Sequence, residues 1–328
     1  MKRNMKRHMK LYVIGPLTAA IAAVASGALA QQNTAESHIA AAKAAAGTEH
    51  AALFEGLCVR TPGPPPARTE PREVPERSTW HHEPVKVFDN LTYVGEKEYS
   101  AWAVTTSAGI IVIDTIWSHS VEDEIVGGLR KLGLDPANIK YALVSHAHID
   151  HIGGAKYLQD KFGTRVVMSA ADWDFAAQTT RVPDEIKPRR DVVAPDGYKL
   201  TLGDTTLSLH LTPGHTPGTI STIFTVKDGG RSHTVATWGG TGFNFELLPQ
   251  TFQTYINSAV NYQSVVKQAG ADILLSNHTR LDESLSKFEA LAKRKPGDPH
   301  PFVVGQDSVL RYVKVAEECA RAQLLQLK

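Results

Sequence analysis

The stretch Ser145-His146-Ala147-His148-Ile149-Asp150-His151-Ile152-Gly153-Gly154 decides the fold and the chemistry expected of this 328-residue chain. It follows a short apolar run, Tyr141-Ala-Leu-Val144, which is typical of a buried strand. Buried imidazoles each need a hydrogen-bond partner and repel one another when protonated, so this cluster would be costly as ordinary structure. Zinc removes that cost, because it binds neutral imidazole nitrogens and carboxylates.

The spacing within this stretch indicates two neighbouring metal positions. In extended chain His146 and His148 point to the same face. Asp150 and His151 follow where the chain turns towards a Gly-Gly helix start, so they can point at an adjacent position. A histidine-rich surface loop is the alternative, but such loops belong to polar tracts rather than to the end of a buried strand.

Two isolated histidines downstream would complete the two ligand sets. His215 lies in the turn Leu211-Thr-Pro-Gly-His-Thr-Pro-Gly218, and His278 follows the apolar run Ile273-Leu-Leu275. Catalytic zinc has three protein ligands and one open position. A lone histidine is more often structural, but a strand end is where sites on sheet scaffolds gather.

The remainder of the chain indicates two sheets packed together with helices outside, because strands and helices alternate in both halves. Helices are predicted over residues 34–56, 120–132, 155–162, 250–268, 282–294 and 307–325. Strands are predicted at 85–88, 91–94, 101–105, 110–113, 141–144, 165–168, 198–211, 218–226, 234–237 and 273–275.

Composition excludes several classes of function. Lys and Arg number 35 against 34 Asp and Glu, so charge gives no reason to expect a nucleic-acid partner. Hydrophobic residues make up 42% of the chain, which fits a globular protein of the size of an enzyme and argues against a fibre or a wholly disordered chain. The expected partner is a small-molecule substrate. We expect a monomer.

The N-terminus resembles a secretory signal peptide. Residues 1–10 are basic, Leu11 to Ala25 is mostly apolar, and Ala28-Leu-Ala30 fits a cleavage site. We therefore expect a signal peptide over 1–30, an N-terminal helix and Pro-rich arm over 31–80, and the main domain, which holds the predicted metal ligands, over 81–328. The mature protein would be periplasmic, without a membrane anchor.

Export would place the two cysteines, Cys58 and Cys319, in an oxidising compartment. They lie near the two ends of the mature chain. A disulfide between them and a pair of free buried thiols are both compatible with the sequence, because spacing alone does not show pairing.

The run His146-x-His148-x-Asp150-His151, with His215 and His278 downstream, resembles the metallo-β-lactamase superfamily. The resemblance extends from about residue 85 to the C-terminus and includes Tyr93-Val-Gly95 and Asp114. It implies an α/β fold, a four-layer αββα sandwich with two zinc ions at a sheet edge. It also implies that His146, His148 and His215 bind the first zinc. Asp150, His151 and His278 would bind the second, and Asp114 would brace the metal loop.

The stretch Thr237-Trp-Gly-Gly-Thr-Gly-Phe-Asn244 narrows the resemblance to one branch. Glyoxalase-II-like thioesterases carry a bridging Asp here and the single-Cys lactamases a Cys, whereas this chain has neither. It therefore resembles most the third subclass of class B β-lactamases. Members of that subclass hold the substrate carboxylate just after this strand, where Thr241 and Asn244 stand.

The resemblance implies a dizinc hydrolase that opens a β-lactam ring with a zinc-bound hydroxide, with Asp150 as the catalytic residue that orients the nucleophile. A zinc hydrolase of another ester, lactone or thioester is the alternative. A zinc-binding protein without catalytic activity is a third hypothesis, against which the open coordination positions argue.

Overall fold

Two β-sheets stack face to face between layers of helices in the computed structural model, which describes residues 33–63 and 73–327. The predicted four-layer αββα sandwich is confirmed. The predicted strands are present within a few residues of their expected bounds. The helix Ala170–Gln178, the short strand Val192–Val193 and the four-residue helices Arg77–Trp80 and Ile149–Ile152 were not predicted from the sequence.

The first sheet has seven strands that lie in chain order. Its first four strands are antiparallel, and β4 to β7 are parallel. The strands are β1 (Val85–Phe88), β2 (Leu91–Tyr93), β3 (Trp102–Thr106), β4 (Gly109–Ile113), β5 (Ile139–Leu143), β6 (Arg165–Met168) and β7 (Val192–Val193).

The second sheet has five strands in the order β12-β11-β10-β9-β8. Only the β11–β12 pair is parallel, since α8 connects these two strands. The strands are β8 (Lys199–Leu202), β9 (Thr205–Leu211), β10 (Ile220–Asp228), β11 (Arg231–Trp238) and β12 (Ile273–Ser276).

Helices cover the outer faces of both sheets. They are α1 (Ala35–Ala46), α2 (Ala51–Phe54), α3 (Arg77–Trp80), α4 (Gly127–Lys131), α5 (Ile149–Ile152), α6 (Ala155–Phe162), α7 (Ala170–Gln178), α8 (Pro249–Ala269), α9 (Thr279–Asp282), α10 (Ser284–Ala292) and α11 (Gln306–Gln326). Single wide turns follow α2, at Glu55–Val59, and precede α4, at Glu122–Val126. The predicted helix over 120–132 is therefore regular only in its second half.

The main core lies between the sheets, where alternate residues of facing strands meet. Trp102 and Ile111 of the first sheet share this core with Leu209 and Phe224 of the second. Alternation works because successive side chains of a strand point to opposite faces, so the other face of each sheet is free to pack on helices. The outer face of the second sheet packs on α8 and α11.

We call residues 33–63 the N-terminal segment. Its predicted continuous helix over 34–56 is broken after Ala46, and α2 begins at Ala51. Helix α1 packs along α11, and a disulfide joins Cys58 to Cys319 of α11 with Cα atoms 4.9 Å apart. Of the two states that the sequence left open for these cysteines, the structure contains the disulfide.

The predicted signal peptide lies outside the described residues, as does most of the Pro-rich arm. Among residues 33–63 and 73–327, no helix is both long and apolar enough to cross a membrane. The functional edge of the molecule is formed by loops that follow the carboxyl ends of β4, β5, β9, β11 and β12. Within each sheet these strands run in the same direction, since β9 and β11 are both antiparallel to β10, so their ends lie at the same edge.

Candidate metal centre

Six side chains meet at this edge in two groups of three. One group is His146, His148 and His215, and the other is Asp150, His151 and His278. Within each group one potential ligand atom from every residue lies within 4.8 Å of the others. These are the two sets that the sequence spacing predicted would come together. Their joining requires three separate loops, after β5, β9 and β12.

Backbone carbonyls fix the orientation of two rings in the first group. His146 Nδ1 lies 2.8 Å from the carbonyl oxygen of Gly239, and His215 Nδ1 lies 2.6 Å from that of Gly242. A carbonyl only accepts, so each Nδ1 carries the proton and each Nε2 presents a lone pair. The two Nε2 atoms face each other at 3.1 Å. Two lone pairs at this separation repel unless a cation lies between them.

The donor set of the first group fits zinc. Two nitrogen ligands at ~2.0–2.1 Å in tetrahedral geometry lie roughly 3.3 Å apart, close to the observed separation of the Nε2 atoms. Burial first, and then the neighbouring imidazoles, holds the pKa of His146 and His215 well below the ordinary value. The same causes lower the pKa of His148 to about 4, even though Asp150 opposes the shift. The rings are therefore neutral at pH 7, as metal ligands must be.

Asp114 braces the second group, as the resemblance implied. Its Oδ2 lies 3.0 Å from His151 Nδ1 and accepts a hydrogen bond from the hydroxyl of Ser145, while its Oδ1 accepts one from the Ser145 amide. The carboxylate thereby fixes both the loop and the ring. Asp114 has a φ of 60°, a left-handed conformation that Asp and Asn adopt more readily than other side chains except Gly.

The inner side of His151 favours a cation. Its Nε2 atom is buried with no hydrogen-bond partner among the described residues, and lies 3.5 Å from Asp150 Oδ2. Burial alone would lower the pKa of His151, but Asp150 and Asp114 raise it to about 10. Burial would likewise raise the pKa of Asp150, but His151 and His278 hold it below its usual range. The field of the two carboxylates thus suits a metal ion here.

His278 is held from the outside by Glu98, whose Oε1 lies 3.3 Å from His278 Nδ1. Its Nε2 faces inward, 3.9 Å from Asp150 Oδ2. The backbone of His278 also bridges to Tyr99. His278 is the N-terminal cap of α9, so that its position depends on that short helix.

The turn after β11 approaches the first group through glycines. A Cβ atom on Gly240 would lie 2.7 Å from the Cβ and Cδ2 atoms of His215, and one on Gly239 would lie 1.8 Å from the carbonyl oxygen of Ile220. Neither position has room for a side chain. The absence of an Asp here, noted from the sequence, therefore has a steric counterpart. The second group receives no carboxylate from this turn.

Sequence reasoning missed Asp172, which ties two metal-bearing loops together. Its carboxylate accepts hydrogen bonds from the amides of Ala147 and Gly218 at 2.9 and 2.7 Å, and from the hydroxyl of Thr216 at 2.9 Å. Burial raises the pKa of Asp172 to about 6, although these hydrogen bonds oppose the shift. Glu98 was also missed. No local sequence signal identifies either residue, since each acts across 25 or more positions of the chain.

A cavity of about 600 Å³ opens beside His148 and His215. Phe175, Phe245 and Leu248 give it apolar walls. Arg181 contributes its only guanidinium or ammonium group, and within residues 33–63 and 73–327 no acidic side chain forms an ion pair with that group. Glu246 lines the same cavity and is exposed.

The two predicted substrate residues have different surroundings. Asn244 lines the cavity and is exposed. Thr241 is 1% exposed, and its carbonyl accepts a hydrogen bond from Tyr255 of α8 at 2.9 Å. The structure therefore favours Asn244 over Thr241 as a residue that a ligand can reach.

The chain is similar to known proteins in sequence and in fold. The family model described as the metallo-beta-lactamase superfamily matches residues 94–231, which span the loop of residues 145–154 and His215. The chain contains a metallo-β-lactamase superfamily domain. The superfamily resemblance noted from the sequence is thereby confirmed.

The likeness to solved structures covers more of the chain than the residues that the family model matches. BJP-1, a subclass B3 metallo-β-lactamase of Bradyrhizobium japonicum, is 28% identical with a TM-score of 0.62, over 74% of this chain and 94% of that protein. Structural neighbours of the domain are thus subclass B3 enzymes, the branch that the sequence indicated.

Curated relatives of the superfamily domain have other names. The N-acyl homoserine lactonase AttM of Azorhizobium caulinodans is 31% identical over 119 residues, 33% of this chain and 44% of that protein. The hydroxyacylglutathione hydrolase of Acidiphilium cryptum is 30% identical over 140 residues, 42% of this chain and 53% of that protein. The chain spans about half the length of these curated relatives. The names of these relatives refer to different substrates.

Proposed function

We propose that this protein is a dizinc β-lactamase, with His146, His148 and His215 as ligands of one zinc ion and Asp150, His151 and His278 as ligands of the other. The observation that carries the proposal is the second group, which is closed by His278 without any carboxylate from the turn after β11. The likeness to subclass B3 structures over 94% of BJP-1 supports it.

The metal ions and the side chains would have different roles in the reaction. Zinc in these sites would act as a Lewis acid and would lower the pKa of a water molecule towards ~7. Asp150 is ionised beside His151, and its carboxylate can accept a hydrogen bond from the attacking water and so orient it. The carbonyls of Gly239 and Gly242 and the carboxylate of Asp114 keep the imidazoles aimed inward.

The cavity supports an anionic substrate. All penicillins, cephalosporins and carbapenems carry a carboxylate, and a guanidinium without an acidic partner is suited to bind one. Arg181 provides that group in the same cavity as the apolar walls, with Asn244 as a second polar contact. A neutral acyl-lactone would leave Arg181 without a partner.

A lactonase is the second candidate, because the AttM lactonase is 31% identical over 119 residues that this chain shares with it. Nitrocefin and an N-acyl homoserine lactone, each supplied to purified zinc-loaded protein, separate the two. Turnover of nitrocefin that is lost with EDTA supports the β-lactamase. Hydrolysis of the lactone without any lactam turnover would favour the lactonase instead. Stoichiometric zinc without hydrolysis of either substrate would indicate a non-catalytic protein.

We further propose that the protein acts in the periplasm as a monomer. The basic, apolar and Ala-x-Ala pattern of residues 1–30 supports export. The disulfide between Cys58 and Cys319 supports an oxidising compartment. Mass spectrometry of the exported protein tests cleavage after Ala30, and a mature chain that began at Met1 would contradict it.

A further inference from the structure

The N-terminal segment is connected to the candidate metal centre through its contacts with α11 and α9. Helix α1 lies along α11, where Ala42 and Ala46 are buried in the same core as Cys319. His38 also pairs with Glu318 of α11. The disulfide from Cys58 then closes the segment onto α11 immediately after α2.

Helix α2 packs directly against α9. Leu53 is fully buried in the core cluster that also contains Leu281 of α9. A Cβ atom on Gly56, in the turn after α2, would lie 3.7 Å from the Leu281 side chain and 3.6 Å from the Arg280 guanidinium, so the backbone at Gly56 lies against side chains of α9. The Arg280 guanidinium also donates to the carbonyl oxygen of Ala52 at 3.5 Å.

Helix α9 begins directly after His278, which belongs to the second group of candidate metal ligands. His278 caps this helix, and its carbonyl accepts a hydrogen bond from the amide of Leu281 at 3.0 Å. The Arg280 Nε atom lies 4.0 Å from the Glu98 carboxylate, which in turn contacts His278 Nδ1. One arginine therefore connects the N-terminal segment to the carboxylate that orients the ring.

A second set of contacts holds the inner side of the same turn. The amide of Thr279 donates to the carbonyl oxygen of Glu98 at 3.0 Å, and the amide of Ser100 donates to that of Asn277 at 3.0 Å. These bonds fix the backbone near His278 but not α9 as a whole. With four residues, α9 has too few internal hydrogen bonds to be stable alone, and its orientation depends on packing.

We infer that the N-terminal segment, pinned by the Cys58–Cys319 disulfide, positions His278 for the second metal ion through α9, with Arg280 as a positioning residue. The inference rests on the two-metal centre proposed above. The first group is held by other contacts, because the carbonyls of Gly239 and Gly242 orient His146 and His215. The N-terminal segment approaches that turn through a separate bond, from the Gly63 amide to the Phe243 carbonyl at 2.7 Å, which involves neither α9 nor Arg280. The affinities of the two sites should therefore respond differently.

Zinc titration against a chromophoric chelator tests the inference on the full-length mature protein, because it resolves two equivalents. In the Cys58→Ser/Cys319→Ser variant we expect the equivalent that His278→Ala abolishes to lose about tenfold in affinity, the scale of outer-contact losses at metal sites, while the other equivalent is unchanged. Unchanged binding of both equivalents, or equal weakening of both, would overturn the inference. Uptake of only one equivalent by the wild type would instead overturn the two-metal centre on which it rests.

Arg280 provides a test that leaves the disulfide in place. Arg280→Ala should weaken the same equivalent several-fold, and Arg280→Lys should restore part of it by keeping a cation beside Glu98. Arg321→Ala is the matched control, since Arg321 pairs with Glu317 within α11 and does not contact α9. An Arg280→Ala protein that binds both equivalents like the Arg321→Ala protein would contradict the role of Arg280.

Discussion

Asp114 Oδ2 lies 3.0 Å from His151 Nδ1, and this contact joins the end of β4 to the metal-bearing loop after β5. The same carboxylate accepts two hydrogen bonds from Ser145. One buried side chain therefore determines the loop conformation and the orientation of a candidate ligand.

Asp114→Asn should weaken the second zinc equivalent by about 10- to 100-fold, because the amide NH₂ would meet donors where the carboxylate accepts. Asn tolerates the left-handed backbone at this position, so the fold should survive. Competition with a chelator measures the loss. Asp204→Asn, which changes an exposed surface carboxylate, is the control and should bind zinc like the wild type. Equal affinities in the two variants would remove Asp114 from the site.

His278→Ala should empty the second site and strongly reduce turnover while the protein remains folded, since His278 is partly exposed at the edge of the sandwich. Asp150→Asn should behave similarly. Elemental analysis after dialysis measures the stoichiometry, and circular dichroism verifies the fold. His210→Ala, which changes a histidine of β9, should retain two zinc ions. Two zinc ions retained in the His278→Ala protein would refute the assignment.

Gly240→Ala should disturb the first group, because the added methyl would lie 2.7 Å from His215 and the ring must move. We expect weaker binding of the first zinc equivalent and lower turnover. Gly242→Ala is a matched control in the same turn, where the nearest atom to the added methyl is 3.7 Å away. If both variants bind zinc equally well, the close approach at Gly240 does not matter for the site.

Arg181→Ala should raise KM about tenfold for lactams that carry a carboxylate, equivalent to the loss of ~1.4 kcal/mol from one charge-assisted hydrogen bond. The value of kcat should change less, because a contact to the substrate carboxylate is made in the ground state as well as in the transition state. Arg189→Ala is the control, since Arg189 pairs with Asp160 outside the cavity. Steady-state kinetics of both variants measure these changes. An unchanged KM in the Arg181→Ala protein would show that Arg181 does not bind the substrate.

Asp172 should make the metal-free protein less stable as the pH rises from about 4 to 6. Burial raises its folded-state pKa to about 6 from an ordinary value of 3.8, so the folded state binds the proton more tightly than the unfolded state. Stability from this group is present below the ordinary pKa and declines until the pH passes the folded value. Urea unfolding at several pH values should show a smaller decline in Asp172→Asn. Parallel pH profiles would show that Asp172 does not titrate in this range.

The chemistry of the site was largely predictable from local sequence. A His-x-His-x-Asp-His run after an apolar strand can be recognised because its residues are neighbours in the chain. Burying these polar side chains without partners would cost free energy, which points to a bound metal. His215 and His278 could be assigned because each follows a strand. The disulfide stayed open, since pairing of Cys58 with Cys319 depends on α1 and α11 lying side by side.

Sequence by itself determined the ligand types, the strand-rich core and the glycines that exclude a carboxylate after β11. Tertiary structure alone decided which distant groups orient those ligands. Asp172, Glu98 and the carbonyls of Gly239 and Gly242 act across loops that meet only when both sheets are packed. Hydrogen bonds between loops depend on distances of a few ångströms set by sheet packing, and residue type and spacing along the chain do not encode them.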